Sequence, residues 1–157
     1  MSIGERSKVW KQIWDLQIPN VEKTFLWRVC HESLPTRQNL QRRKVIEDAF
    51  CLFYKMEDET AIHILWQCSS ARDVWCVGPK KLQKSMDEGR DFLGVVEAVL
   101  AKCSPEDIGF FAGAARRLWL RRNEVVHGGA FVHPNTLVHS IQPAMEDFIM
   151  ARGIKKA

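Results

Sequence analysis

The stretch SPEDIGFFAGAARRLWLRRNEVVHGG, Ser104 to Gly129, reads as one long helix with its own start and stop. Ser104 is a fit N-cap, because its hydroxyl can accept a backbone N–H that the first helical turn leaves without a partner. Pro105 follows at the position where a missing N–H costs nothing. The pattern runs to about Val126 and stops at Gly128-Gly129. Phe111, Ala114, Ala115, Leu118, Val125 and Val126 share one arc of the wheel, which predicts a face buried against other helices. Arg122 falls in the middle of that arc, and a guanidinium placed there needs a buried carboxylate or carbonyl. Arg116, Arg117 and Arg121 fall on the other side.

The helical period recurs on both sides of this stretch. Val9, Trp10, Ile13 and Trp14 form the stripe of a short N-terminal helix, which Pro19-Asn20 ends. Val21, Phe25, Leu26, Val29 and Cys30 mark a second helix with Asn20 as N-cap, and Ser33-Leu34-Pro35 closes it. Thr36 caps a third, TRQNLQRRKVI. A tight loop or hairpin is expected around Met56 to Asp58, a short helix over Thr60–Gln67, and a further turn or two over Ser70–Trp75 before Gly78-Pro79. The polar segment 79–90 reads as a connection. Phe92, Val95, Val96, Val99 and Leu100 define the helix beyond it. The last helix starts near Pro134 and carries Leu137, Val138, Ile141, Met145, Phe148 and Ile149 on one face, with a kink at Pro143. Strand-like alternation is missing throughout, so the fold class is all-α. Two parts are expected: residues 1–77, and a helical C-terminal region, 78–157, packed on them.

Composition narrows the function classes. A chain of 157 residues with 46% hydrophobic content is a folded domain, not a disordered tail. Six Trp and eight Phe against one Tyr make the aromatic mass largely core material. The longest apolar runs, AIHILW and FFAGAA, fall well short of the roughly eighteen residues a membrane span needs. Ser2 to Asp15 has no apolar stretch and carries Glu5 and Asp15, so no secretory signal is expected. Lys8, Lys11, Trp10, Ile13 and Trp14 do make an amphipathic start, which keeps a mitochondrial address open. Five cysteines without framework spacing fit reduced thiols in the cytoplasm or nucleus. The net charge of +4 permits contact with nucleic acid without demanding it.

A metal-like pattern sits in CLFYKMEDETAIHILWQC, Cys51 to Cys68. Cys51, His63 and Cys68 are zinc-type ligands, but Tyr54 stands where a second cysteine would complete a C-x-x-C. The order of motifs around it carries a resemblance. WKQIWDLQIP, then VEKTFLWRVCHESLPTRQNLQRR, then Cys51, His63 and Cys68, then SARDVW, is similar to the reverse-transcriptase zinc-binding domain of plant non-LTR retrotransposons. Trp10, Trp14, Phe25, Leu26, Trp27, Arg28, Leu34, Pro35, Thr36 and Trp75 match its pattern. LWLRRNEVVH, Leu118 to His127, resembles the helix that leads toward RNase H in such elements. Two departures stand out: the family's second cysteine is Tyr54, and the proline after its first cysteine is Leu52.

The resemblance implies a retrotransposon-derived accessory module with a degenerate zinc site. Three ligands bind zinc more weakly than four. The favoured expectation is therefore a fossil site, its empty corner filled by the rings of Tyr54 and Phe53. Cofactors are not expected, with zinc at Cys51, His63 and Cys68 as the exception left open. Cys30, Cys76 and Cys103 read as small hydrophobes. No catalytic residues are assigned: phosphate-loop motifs are missing, and His127, His133 and His139 recur at intervals that share no helical face. The function read from these residues is binding of a protein partner as regulator, inhibitor or toxin/antidote-type factor, with Leu137, Ile141, Met145, Phe148 and Ile149 as candidate surface. The alternative is an RNA- or DNA-binding module using Arg37, Arg42, Arg43, Lys44, Arg116, Arg117 and Arg121. Oligomeric state is not legible.

Overall fold

Helix α7 (Pro105–Val126) is the axis around which the chain is arranged in a computed structural model that describes residues 3–84 and 90–153. Before it come α1 (Ile3–Trp14), α2 (Asn20–Cys30), α3 (Arg37–Arg42), a π-helical segment (His63–Gln67), α4 (Ser69–Trp75), α5 (Lys80–Lys84) and α6 (Phe92–Lys102). After it come α8 (Pro134–His139) and α9 (Ile141–Ala151). The described residues contain no strand, only an isolated antiparallel bridge between Phe50 and Asp58. The all-α class holds. None of the described helices is long and apolar enough to cross a membrane.

Aromatic rings fill the centre. Phe111 of α7 stacks on Phe92 of α6 at 5.7 Å and on Trp75 of α4 at 5.6 Å, while Trp66 meets it edge-on at 5.9 Å. These separations lie within the range in which aromatic pairs attract beyond their burial alone. Gly78 lets α4 turn away beneath α7, since a Cβ there would lie 2.6 Å from the Phe110 ring. The buried cluster is continuous from Val9 to Ile141, so both sides of position 77 share one core.

The helix ends follow local chemistry. Ser104 Oγ accepts from Asp107 N at 3.2 Å, and Gly128 takes φ +85° so that the Gly129 and Gly128 N–H groups reach back to Glu124 and Val125 carbonyls. Lys44, at φ +62°, closes α3 in the same way, with Val45 N bonded to Leu40 O and Lys44 N to Gln41 O. The third helix therefore ends at Arg42 instead of continuing to Ile46, although Thr36 caps it as expected.

Other expectations need correction. Asn20 is the first residue of α2 and not its cap; Pro19 holds that place without a side-chain bond. The last helix is interrupted at Ser140, not kinked at Pro143, which lies in the first turn of α9 where proline is tolerated. Val126 is exposed, because α7 outruns the core in its last turn. Leu137 and Ile141 belong to the core and are not available as a partner surface. Of the polar connection 79–90, residues 80–84 form α5, and residues 85–89 lie outside the described residues.

Candidate metal centre

Two local structures bring the three ligands together. The first is the loop from Ala49 to Glu59, which doubles back on itself. Glu59 N bonds Ala49 O at 2.7 Å and Cys51 N bonds Glu57 O at 2.8 Å, so Cys51 is fixed on the inner side. The tight loop expected around Met56–Asp58 falls slightly earlier, where Glu57 N bonds Tyr54 O at 3.3 Å, and Asp58 is already on the returning side, bridged to Phe50. The second is the π segment. Thr60 Oγ1 accepts from His63 N, and the wide turn that follows closes with Cys68 N on His63 O at 2.7 Å. A π turn inserts an extra residue per hydrogen bond and recurs at functional sites. Here it places His63 and Cys68, five residues apart, at one point.

The resulting geometry suits zinc. One donor atom from each of Cys51, His63 and Cys68 lies within 4.8 Å of the others, and all three residues are buried. The two sulfurs are 3.9 Å apart. Tetrahedral zinc with Zn–S near 2.3 Å requires about 3.8 Å between two thiolates. His63 Nε2 is buried without a hydrogen-bond partner. Leaving such an atom unsatisfied costs about 1–3 kcal/mol, which a bound metal would relieve.

The thiols are already electrostatically unequal. Hydrogen bonding to Cys51, then to the His63 ring and to the Ser70 hydroxyl at 3.2 Å, outweighs burial and holds Cys68 below the ordinary thiol range. Cys51 is correspondingly pushed up, by its hydrogen bond with Cys68 and by burial. Zinc takes its cysteine ligands as thiolates, so metal binding would release the proton the two sulfurs share. Cys30 is pushed up to about 12 by burial and carries no comparable arrangement. Cys76 is exposed, contrary to its reading as a small hydrophobe.

Tyr54 does not fill the vacated corner. It is 48% exposed, at the mouth of a cleft of about 430 Å³ that also borders Glu57, His63, Gln67, Cys68, Ser69 and Arg72. Phe53 turns the other way and meets Phe131 edge-on at 5.5 Å. The expectation of ring packing in place of metal is overturned for both residues, since the site opens to a cleft instead of closing under rings.

The cationic candidates separate into three groups. Arg42, Arg43 and Lys44 are exposed in the turn that ends α3. Arg37 is bound to the Asp48 carboxylate at 2.9 Å, Arg117 contacts Glu22 and bonds Ser140 Oγ, and Arg116 borders a cleft of about 480 Å³ with Arg28. Arg121 is only 3% exposed and donates to the carbonyls of Ser70 and Val132 beneath the Phe131 ring. Arg121 is therefore a structural strut and is withdrawn as a phosphate contact.

Arg122 meets its required acid. It grips Glu59 through two bonds of 3.0 and 2.6 Å, and Glu59 is wholly buried. Of the partner-surface candidates, Met145, Phe148 and Ile149 are half-buried along a cleft of about 120 Å³ with Ile18 and Pro19. Sequence reasoning missed an aromatic row on α1 and α2: Trp10 lies 5.6 Å from Trp14 and 5.7 Å from Trp27, and Trp27 lies 4.2 Å from His31. The i to i+4 spacing of Trp27 and His31 was the available signal.

Comparison with known proteins agrees with this geometry. Residues 2–75 match the family described as "zinc-binding in reverse transcriptase". The chain is 25% identical over 108 residues to an Arabidopsis thaliana protein described as "Putative ribonuclease H protein". That alignment covers 68% of this chain and 17% of the relative's length. No solved structure matches the chain.

Proposed function

We propose, from the match of residues 2–75 to the reverse-transcriptase zinc-binding family, that this chain is a non-enzymatic accessory module that holds one zinc and acts by binding a protein partner. The observation that carries the zinc reading is the buried convergence of Cys51, His63 and Cys68, with His63 Nε2 lacking any other partner. When bound, zinc would supply a cross-link between the Cys51 loop and the π segment. The chain's own residues do the rest. Ser70 holds the Cys68 sulfur, Thr60 fixes the start of the turn, and the Ala49–Glu59 backbone ladder sets Cys51.

Native mass spectrometry of protein prepared with zinc and without chelator is expected to show one zinc per chain, lost in Cys68→Ser. A folded, metal-free chain from that preparation would sink the zinc reading. The half-buried row of Met145, Phe148 and Ile149 beside Ile18 and Pro19 supports a protein partner, because an apolar cleft at a helix face suits an inserted side chain.

A second reading, single-stranded RNA binding, is favoured by the Trp10–Trp27–His31 row together with exposed Arg42, Arg43 and Lys44. Trp27 and His31 are exposed beside a half-buried Trp10; exposed rings stack on bases and cations neutralise phosphates. On this reading a short RNA oligonucleotide quenches tryptophan fluorescence in a salt-dependent manner. Replacing Arg42, Arg43 and Lys44 together by alanine then lowers the log–log salt slope by about 2, at roughly 0.7 per lost phosphate contact. An unaltered slope would remove those three residues from consideration.

A further inference from the structure

The metal site has a corner that this chain leaves unfurnished, and its surroundings show where that corner leads. Three residues converge: Cys51, His63 and Cys68. Tyr54, in the place of the missing cysteine, is turned outward to 48% exposure. Glu57 borders the same cleft, but its carboxylate is not among the donor atoms that converge within 4.8 Å. His63 and Cys68 line the cleft, which at about 430 Å³ is large enough for a small molecule or a side chain. Its other walls are Gln67, Ser69 and Arg72, which present polar and cationic groups in place of an apolar plug.

Zinc sites that serve structure alone are closed by four protein ligands, whereas sites with three keep a position for an outside ligand. Resting on the zinc reading above, we infer that the fourth coordination position faces the Tyr54–Arg72 cleft and takes an exogenous monodentate sulfur or nitrogen donor, a thiolate or an imidazole. Zinc accepts both donor types readily. Two thiolates and a neutral imidazole already balance the charge of a divalent ion, so the position suits one small donor and does not require a multiply charged anion. The donor can be a free molecule or a side chain of a second copy of this chain, and the chemistry at the metal is the same.

Cobalt(II) in place of zinc reports the number and kind of ligands through its visible absorption. Cobalt-loaded protein is titrated separately with imidazole and with 2-mercaptoethanol. The expected result is a saturable change in the visible bands with each donor in the wild-type chain and in Tyr54→Phe. In Tyr54→Cys, which restores a fourth protein ligand, the bands are expected to resemble those of the thiol-saturated wild type and to ignore both donors. Tyr54 is exposed, so neither variant removes core packing. If the unliganded spectrum instead depends on protein concentration, with dimer formation in parallel, the donor comes from a second copy. Cobalt bound with a spectrum that no donor alters would overturn the open position while leaving the metal site standing. Absence of cobalt uptake at any concentration would overturn both readings.

Discussion

Replacing Glu59 with alanine is expected to remove about 3–5 kcal/mol of stability, because it leaves the Arg122 guanidinium buried without a counter-charge. Glu59 is fully buried and Arg122 nearly so, and two hydrogen bonds join them across 63 positions of sequence. Glu59 does more than neutralise Arg122. Its Oε1 also accepts the backbone N–H of Arg37 at 2.9 Å, and its carbonyl accepts from Gln38 N. One residue therefore ties the start of α3, the Cys51 loop and α7 together. Domains have about 5–15 kcal/mol of net stability, so a loss of this size takes a large fraction of the total. For a chain of this length it corresponds to roughly 6–20 °C in melting temperature.

Urea denaturation followed by tryptophan fluorescence would measure the loss directly. The pair itself need not stabilise the fold relative to an apolar substitute, since desolvation of both ions offsets most of their attraction. The double variant Glu59→Leu/Arg122→Met is therefore expected to recover part of the loss, the remainder reflecting the Arg37 N–H that Glu59 no longer accepts, with strong non-additivity between the single changes. A single-variant loss below about 1 kcal/mol would mean that water reaches the guanidinium and that the pair is not the link described.

Arg122 illustrates what could be read from sequence. A charge in the middle of an apolar arc demands a partner, and that demand is visible in the helix wheel alone. The partner was not visible. Glu59 stands among Glu57, Asp58 and Thr60 in a loop, and nothing in the local pattern separates it from its exposed neighbours. Burial of an acid is decided by long-range packing. The same limit explains Arg121, which shares a sequence neighbourhood with Arg122 and looked solvent-facing. The 130–132 segment folds over it and supplies both a carbonyl and the Phe131 ring.

Helix boundaries were legible where capping chemistry is local, as at Thr36, Ser104 and Gly128. They were missed where a non-glycine residue adopts a left-handed conformation, as Lys44 does, because no residue preference announces it. The metal ligands were legible as residue types, and their convergence depended on a π turn that spacing does not disclose. Cys51, His63 and Cys68 would fit several arrangements, including the fossil site that sequence favoured. The exposed Tyr54 and the orphaned His63 Nε2 are three-dimensional facts, and they shift the balance toward a metal.

That π turn has its own support, which leads to the second large effect. Leu65 lies in the last turn of the π segment, where helix carbonyls lack a backbone partner, and the indole N–H of Trp75 donates to its carbonyl at 2.9 Å. Trp75 is fully buried, stacks on Phe111 and lies 5.0 Å from Trp66, so it joins the π segment to the centre of the core. Trp75→Ala is expected to cost about 3–5 kcal/mol through lost packing and the cavity left behind. Trp75→Phe keeps a ring against Phe111 but strands the Leu65 carbonyl, for an expected loss of about 1–3 kcal/mol. The two variants separate core packing from support of the site. If Trp75 holds the turn that presents His63, Trp75→Phe should also weaken zinc affinity about 10–100-fold, the effect typical of residues that orient metal ligands. Chelator competition on the folded variant measures this. Reduced stability with undiminished zinc affinity would show that the Cys51 loop and Cys68 hold the site without help from the π turn, and Trp75 would then be a core residue alone.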